Sequence, residues 1–112
     1  MIYEPFSVVV VPFPFTDKTN SKKRPALVVS ELPFQKETGH AALLMITSAQ
    51  HSEWYGDWSI RDLKPSGLSV DSFVRQKIFT IDLRLIEKKI GALSAKDVAS
   101  IKRTLRDCIA FK

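Results

Sequence analysis

The chain has 112 residues, 45% of them hydrophobic, which predicts one globular domain over residues 1–112 and excludes a disordered tail. Its 17 Lys and Arg outweigh 12 Asp and Glu, and the net charge of +5 favours an anionic partner. One cysteine excludes an internal disulfide framework. The short apolar runs and the N-terminus without a secretory pattern predict a cytoplasmic protein with no membrane partner.

The first half of the chain reads as three strands joined by polar loops. Residues 7–15 are rich in β-branched and aromatic side chains, and residues 25–32 are predicted as a strand buried on both faces because positions 26–29 are all apolar; the polar loop 16–21 follows the first strand. A second loop is predicted over 31–40 because it contains a proline and a glycine. The apolar run 41–47 is predicted as the third strand.

The second half predicts short strands and one helix. Trp58 and Ile60 alternate with polar residues, as in a strand with one solvated face. Residues 68–74 and 77–81 read as two strands or one interrupted strand, and 85–93 as a final strand and turn. A helix is predicted from Ser94, because a capping-box variant is followed by apolar residues at helical spacing: Val98, Ile101, Leu105, Cys108 and Ile109. These elements indicate a mainly β fold, a small β-barrel closed by a C-terminal α-helix.

Two groups of side chains suggest chemistry. Lys22, Lys23 and Arg24 stand at the mouth of the second strand, where a guanidinium fixed against a rigid strand suits a phosphate. Thr47 and Ser48 end the third strand, so neighbouring strands would bring them to the same rim as Arg24. The alternatives, a solvated surface arginine and an ordinary Thr-Ser turn, stay open at this level.

The sequence lacks the residue patterns of common metal-binding and nucleotide-binding sites. Two histidines and one cysteine do not supply a zinc site of usual spacing, and the four glycines lie too far apart for a phosphate-binding loop. No metal site and no cofactor are therefore predicted.

Five blocks, in order, carry a resemblance to a known family. They are VVVVPFPFTDKTNSKKRPALVVS at 8–30, MITS at 45–48, GDWSI at 56–60, SGLSVDSFVRQKIFTID at 66–82 and KKIGALSAKDVASIKRTL at 88–105. Together they resemble the MazF/PemK family, toxins of bacterial type II toxin–antitoxin pairs. One departure is Ser7, where the family commonly has glycine.

The resemblance implies a small SH3-like β-barrel with a C-terminal helix, a homodimer, and metal-independent cleavage of single-stranded RNA within short sequences. It implies that Arg24 and Thr47 are catalytic, with Ser48 as the alternative hydroxyl if the register slips by one. It also matches Asp17 and the loop 16–23 to the segment that gates the RNA groove.

RNA contacts are predicted for a wider set of residues. The loop and the cations would bind the backbone, and Trp54 would offer a stacking surface for a base. His51, four residues beyond Thr47, is included, although the general base is unassigned. The predicted RNA-binding residues are Thr16, Asp17, Lys18, Lys22, Lys23, His51 and Trp54.

Two functional hypotheses remain at this level. In the first, the ribose 2′-hydroxyl attacks its own phosphodiester, Arg24 stabilises the developing charge and Thr47 holds an oxygen by hydrogen bonding. In the second, the chain is a CcdB-like toxin that binds and poisons DNA gyrase without catalysis, using its C-terminal helix. Either hypothesis implies a cognate antitoxin with an acidic, partly disordered segment.

Overall fold

The computed structural model describes residues 1–12, 22–48 and 54–110. Nine helices and strands are described over these ranges, together with a 3₁₀ turn at Leu83–Leu85. The strands are β1 (Ser7–Pro12), β2 (Lys23–Val28), β3 (His40–Thr47), β4 (Trp58–Ser59), β5 (Phe73–Asp82) and β6 (Lys88–Ala92); the helices are α1 (Leu32–Thr38), α2 (Leu63–Ser66) and α3 (Ala95–Cys108). Within the described ranges, no helix is long and apolar enough to cross a membrane.

The six strands form one antiparallel sheet in the order β4-β5-β3-β2-β1-β6. Alternate residues of the central strands bury apolar side chains on both faces of the sheet. On one face Val9, Val28 and Leu43 pack together, and on the other Leu27, Leu44 and Ile101 of α3 do so. This curled sheet with a C-terminal helix confirms the predicted mainly β, SH3-like class.

The prediction of a loop over residues 31–40 is wrong, since these residues contain the helix α1. Pro33 lies in the first turn, where its missing N–H costs no hydrogen bond, and Gly39 ends the helix at φ 70°. The second strand is correspondingly shorter than 25–32, since it ends at Val28 and Leu32 begins the helix. The buried amide of Gln35 bonds both backbone polar groups of Tyr3, so α1 holds the N-terminal segment.

The segment 68–81 contains one long strand, β5, that begins at Phe73. Residues 68–72 lead into it without joining the ladder. The interruption seen in the sequence corresponds to a register shift in the pairing with β3, between Leu44 and Met45. The first predicted strand is confirmed over Ser7–Pro12, and 13–15 lie outside the described residues.

The start of α3 is tied to a distant part of the chain. As predicted, the Ser94 hydroxyl accepts a hydrogen bond from Asp97 N–H. The Asp97 carboxylate, which is fully buried, accepts from Arg61 N at 3.0 Å, Asp62 N at 2.9 Å and Trp58 Nε1 at 3.2 Å, in addition to the hydroxyl of Ser94 at 3.5 Å. Burial disfavours the charged form, but these hydrogen bonds outweigh it and lower the pKa of Asp97.

A tight backbone contact brings α2 against β6. A Cβ on Gly67, the residue that ends α2 at φ 78°, would lie 2.0 Å from the carbonyl oxygen of Ile90. A Cβ on Gly91 would lie 2.4 Å from the carbonyl oxygens of Pro65 and Ser66. Only glycine permits this approach, which joins the segment after β4 to the opposite edge of the sheet.

The contact at Gly67 can be tested against a matched glycine. Gly67 and Gly39 both end helices in the left-handed conformation, so alanine costs each a similar backbone penalty of about 1 kcal/mol. A Cβ at Gly39 meets nothing within 4 Å. We expect Gly67→Ala to lower the free energy of unfolding by about 1–3 kcal/mol more than Gly39→Ala in urea titrations, because it also overpacks the contact with Ile90. Equal losses in the two variants would contradict the role of the contact.

The Asp97 carboxylate is expected to make stability depend on pH. Asp97→Asn places an amide N–H₂ where backbone donors converge, so we expect it to lower the free energy of unfolding by about 1–3 kcal/mol at pH 7. Because folding lowers the pKa of Asp97, its contribution is fully present above the unfolded value of about 3.9 and is lost as the pH falls through the folded pKa.

The measurement is urea unfolding between pH 7 and pH 2. The difference between wild type and Asp97→Asn should be constant above about pH 5 and shrink on further acidification. Asp107→Asn, at an exposed position of the same helix, should stay within about 0.5 kcal/mol of wild type. A pH-independent difference would show that the charge on Asp97 does not matter.

Candidate active site

Arg24 and Thr47 meet through the register of two neighbouring strands. In the antiparallel β2–β3 pairing Ala26 lies opposite Met45. Arg24 lies two residues before Ala26, and Thr47 lies two residues after Met45, so both residues lie towards the same end of the strand pair. Both side chains are half-buried. The sheet therefore places a guanidinium beside a hydroxyl at one rim, as the sequence predicted.

Both residues line a pocket of about 280 Å³. One wall consists of the ends of β2 and β3, and the facing wall of the segment after α2 together with Ile90 of β6. The complete lining is Arg24, Pro25, Ile46, Thr47, Ser48, Gly67, Leu68, Ser69, Val70, Ser72 and Ile90. A cation and hydroxyls thus share a concave site with apolar side chains, an arrangement suited to a phosphate that carries an apolar group.

The predicted alternative hydroxyl, Ser48, also lines the pocket but is exposed and lies one residue beyond the end of β3. Thr47 is half-buried and held in the ladder opposite Phe73 of β5. Because a strand residue is held more rigidly than one beyond the ladder, the geometry favours Thr47 over Ser48 as the fixed hydroxyl.

Lys22 and Lys23, both predicted to contact RNA, differ in their surroundings. Lys22 is exposed, just before β2. The Lys23 ammonium forms an ion pair with the Glu87 carboxylate, and the two side chains are 55% and 40% exposed. Such a pair contributes little stability but offsets the positive charge locally. Lys22 is thus better suited than Lys23 to attract an anion to this rim.

Trp54 is 42% exposed and rests on basic residues of β5. Its indole Nε1 donates to the Gln76 carbonyl at 3.3 Å, while Arg75 and Lys77 each lie 5.6 Å from its ring centre. Arg75 is itself held by two hydrogen bonds, of 3.1 and 2.9 Å, to the buried Asp57 carboxylate, and these raise the pKa of Arg75. The predicted stacking residue is therefore a fixed, partly exposed ring above cationic side chains.

The other predicted RNA contacts, Thr16, Asp17, Lys18 and His51, lie outside the described residues. Among the residues that are described, no group of three His, Cys, Asp or Glu side chains is arranged to hold a metal ion.

The second wall of the pocket was missed by the sequence reasoning. Pro65 and Gly67 carry no predicted role, and Leu68 belongs to the strand predicted over 68–74. The useful signal was the Pro-Ser-Gly turn at 65–67, which marks where the chain reverses. Its position opposite Arg24 depends on the contact between Gly67 and Ile90, which no local pattern reveals.

Comparison with solved structures finds the same fold in several proteins. The MazE-MazF complex (Form-III) from Deinococcus radiodurans aligns with a TM-score of 0.77 and 16% identity over 100% of both chains. MazF (Form-I) from the same organism aligns with a TM-score of 0.76 and 15% identity over 99% of both chains. An endoribonuclease in complex with its cognate antitoxin, from a mycobacterial species, aligns with a TM-score of 0.74 and 12% identity over 98% of this chain and 95% of that chain.

Sequence comparison assigns the family. No curated protein sequence matches the chain. Residues 4–109, however, match the family described as PemK-like, MazF-like toxin of type II toxin-antitoxin system. Since this match spans nearly the whole chain and agrees with the fold, the protein belongs to the PemK-like, MazF-like toxins of type II toxin–antitoxin systems.

Proposed function

We propose that this toxin is a sequence-specific endoribonuclease that cleaves single-stranded RNA without a metal ion. The observation that supports it most is the shared pocket of Arg24 and Thr47, which places a fixed cation and a hydroxyl at one concave site. Family membership adds support, and one structural neighbour is itself an endoribonuclease.

The proposed reaction is an internal transesterification. The ribose 2′-oxygen attacks the adjacent phosphorus and loses its proton, the bond from phosphorus to the 5′-oxygen breaks, and that oxygen takes up a proton. The products are a 2′,3′-cyclic phosphate and a 5′-hydroxyl. Arg24 stabilises the negative charge that builds on the phosphoryl oxygens, and the Thr47 hydroxyl holds a non-bridging or leaving oxygen.

The RNA on either side of the cut is held by charge and stacking. Lys22 contributes attraction to the backbone near the pocket, and Lys23 does so less because it is paired with Glu87. Trp54 offers its ring to a base, supported by Arg75 and Lys77. Roles for Thr16, Asp17, Lys18, His51 and Ser48 stay predictions.

The proposed partners follow from the same surface. An acidic, partly disordered segment of a cognate antitoxin would bind the basic rim, in keeping with the toxin–antitoxin complexes among the structural neighbours. A homodimer is supported by the exposed apolar side chains of Tyr55 and Ile78, beside and on β5. The place of action would be the bacterial cytoplasm, where the RNA is.

The gyrase-binding alternative requires neither Arg24 nor Thr47, because it relies on the surface of the C-terminal helix. The convergence of these two residues on one pocket therefore favours the nuclease.

A substrate with a single 2′-deoxy ribose tests the mechanism directly. We expect this RNA to bind as well as the unmodified RNA but to resist cleavage at that site, because the attacking oxygen is missing. Reactions run in EDTA and analysed by end-group mapping would show the cyclic phosphate on wild-type products. Cleavage of the 2′-deoxy site, or of an all-DNA strand, would rule out the mechanism.

Arg24→Ala is expected to lower the rate of RNA cleavage by roughly 10²–10³-fold, the usual effect of removing a group that stabilises a developing oxyanion. Single-turnover cleavage of a labelled RNA measures this effect on the chemical step. Arg24→Lys should recover only part of the rate, since an ammonium lacks the planar pair of donors.

One control variant and one comparison of the two hydroxyls test the site further. Arg103→Ala removes an exposed arginine of α3, outside the pocket, and should leave cleavage unchanged. Thr47→Val should slow cleavage more than Ser48→Ala, because Thr47 is the hydroxyl held in the sheet. Wild-type rates in Arg24→Ala would place the chemistry elsewhere.

A further inference from the structure

We propose that residues 67–72, here called the 67–72 loop, form the binding site for one nucleobase next to the phosphate that is cleaved. Ser69 and Val70 in this loop would then set which base is accepted. The inference rests on the proposed function, because the phosphate is placed by Arg24 and Thr47.

The two walls of the pocket differ in chemistry. The strand wall carries the Arg24 cation and the hydroxyls of Thr47 and Ser48, which suit a phosphate and a ribose. The facing wall carries the apolar side chains of Leu68, Val70 and Ile90 together with two serine hydroxyls, and the strand wall also includes apolar surface from Pro25 and Ile46. The cation thus lies on the strand wall, with apolar side chains across from it. A nucleotide needs both kinds of surface, since its phosphate is charged whereas the faces of its base are apolar.

The size of the pocket limits what it can hold. Its volume of about 280 Å³ is at the lower end for small-molecule sites, which run from roughly 300 to 1,000 Å³. That space suits a single nucleoside unit beside the phosphate. The pocket would therefore read one position of the RNA.

The 67–72 loop is held at both ends by buried serines. At its start the Ser66 hydroxyl donates to Leu63 O at 2.5 Å and accepts from Leu68 N at 3.2 Å. At its end the Ser72 hydroxyl donates to Val70 O at 2.9 Å, and the Ser72 carbonyl accepts from Ile60 N at 3.0 Å. A wall fixed in this way can discriminate between bases, because it does not yield to a poor fit.

Between these anchors the loop exposes the two residues that would contact a base. Val70 is 55% exposed although it is apolar, so a base placed in the pocket would cover surface that now faces water. Ser69 is exposed beside it, and its hydroxyl can donate to or accept from a base edge. Val70 would act through shape, and Ser69 through hydrogen bonding.

The test is a cleavage competition in a pool of RNAs with randomised bases around the cut. Removing one hydrogen bond in Ser69→Ala should change the preference among bases at one position flanking the cut by about fivefold. Val70→Phe, which narrows the pocket, should disfavour purines at that same position by roughly tenfold. Preferences at the other positions should stay as in wild type.

Matched controls come from exposed residues outside the pocket lining. Ser59→Ala repeats the serine change at another exposed serine, and Leu85→Phe introduces the same aromatic ring at an apolar residue that is 50% exposed. Both should keep the wild-type base profile. An unchanged profile in Ser69→Ala and Val70→Phe, or an equal loss over all bases, would overturn the proposal.

A binding measurement separates this proposal from the nuclease activity. The wild-type protein is titrated with the four nucleoside 3′-monophosphates and with inorganic phosphate, while NMR follows the amides of Leu68, Ser69 and Val70. We expect shifts that depend on the base and that phosphate alone does not produce. Identical shifts with all five probes would overturn the base site. Base-dependent shifts in a protein that cleaves no RNA would refute only the proposed function.

Discussion

The carboxylate of Asp97 is the interaction on which the far wall of the site depends. It is buried at the start of α3, yet it accepts three hydrogen bonds from Trp58, Arg61 and Asp62, more than thirty residues earlier in the chain. A carboxylate suits this position because its two oxygens accept several donors at once and its charge is favoured near a helix N-terminus. The chain that leaves β4 is thereby fixed to α3 just before it enters α2, and the direction of α2 follows from that anchor.

The site is then completed by a second constraint of a different kind. Arg24 and Thr47 meet because hydrogen-bonded strands set their register, whereas the facing wall arrives through the close contact of Gly67 with Ile90. One half of the pocket is specified by pairing in the sheet, and the other by packing between elements that are distant in sequence. The chemistry and the shape of the pocket therefore have separate structural origins.

This division explains which features could be predicted from the sequence. The strand that follows Arg24, the strand ending at Thr47 and the helix after Ser94 carry strong local patterns, and family resemblance matched Arg24 and Thr47 to the family's catalytic residues. The helix α1 was missed because Pro33 and Gly39 were interpreted as loop residues, although the same residues start and end a short helix. The wall from Gly67 to Ser72 could not be predicted, because its position depends on long-range contacts with Ile60 and Ile90.

The buried serines that hold the 67–72 loop have a consequence for how such a toxin can diversify. Ser66 and Ser72 keep the backbone in place through their own hydrogen bonds, so the exposed side chains between them take no part in holding the fold. Changes at Ser69 and Val70 would thus be tolerated by the scaffold and leave Arg24 and Thr47 where they are. With the base site proposed above, a lineage of such proteins would acquire new targets by drift at two surface positions while the fold is kept.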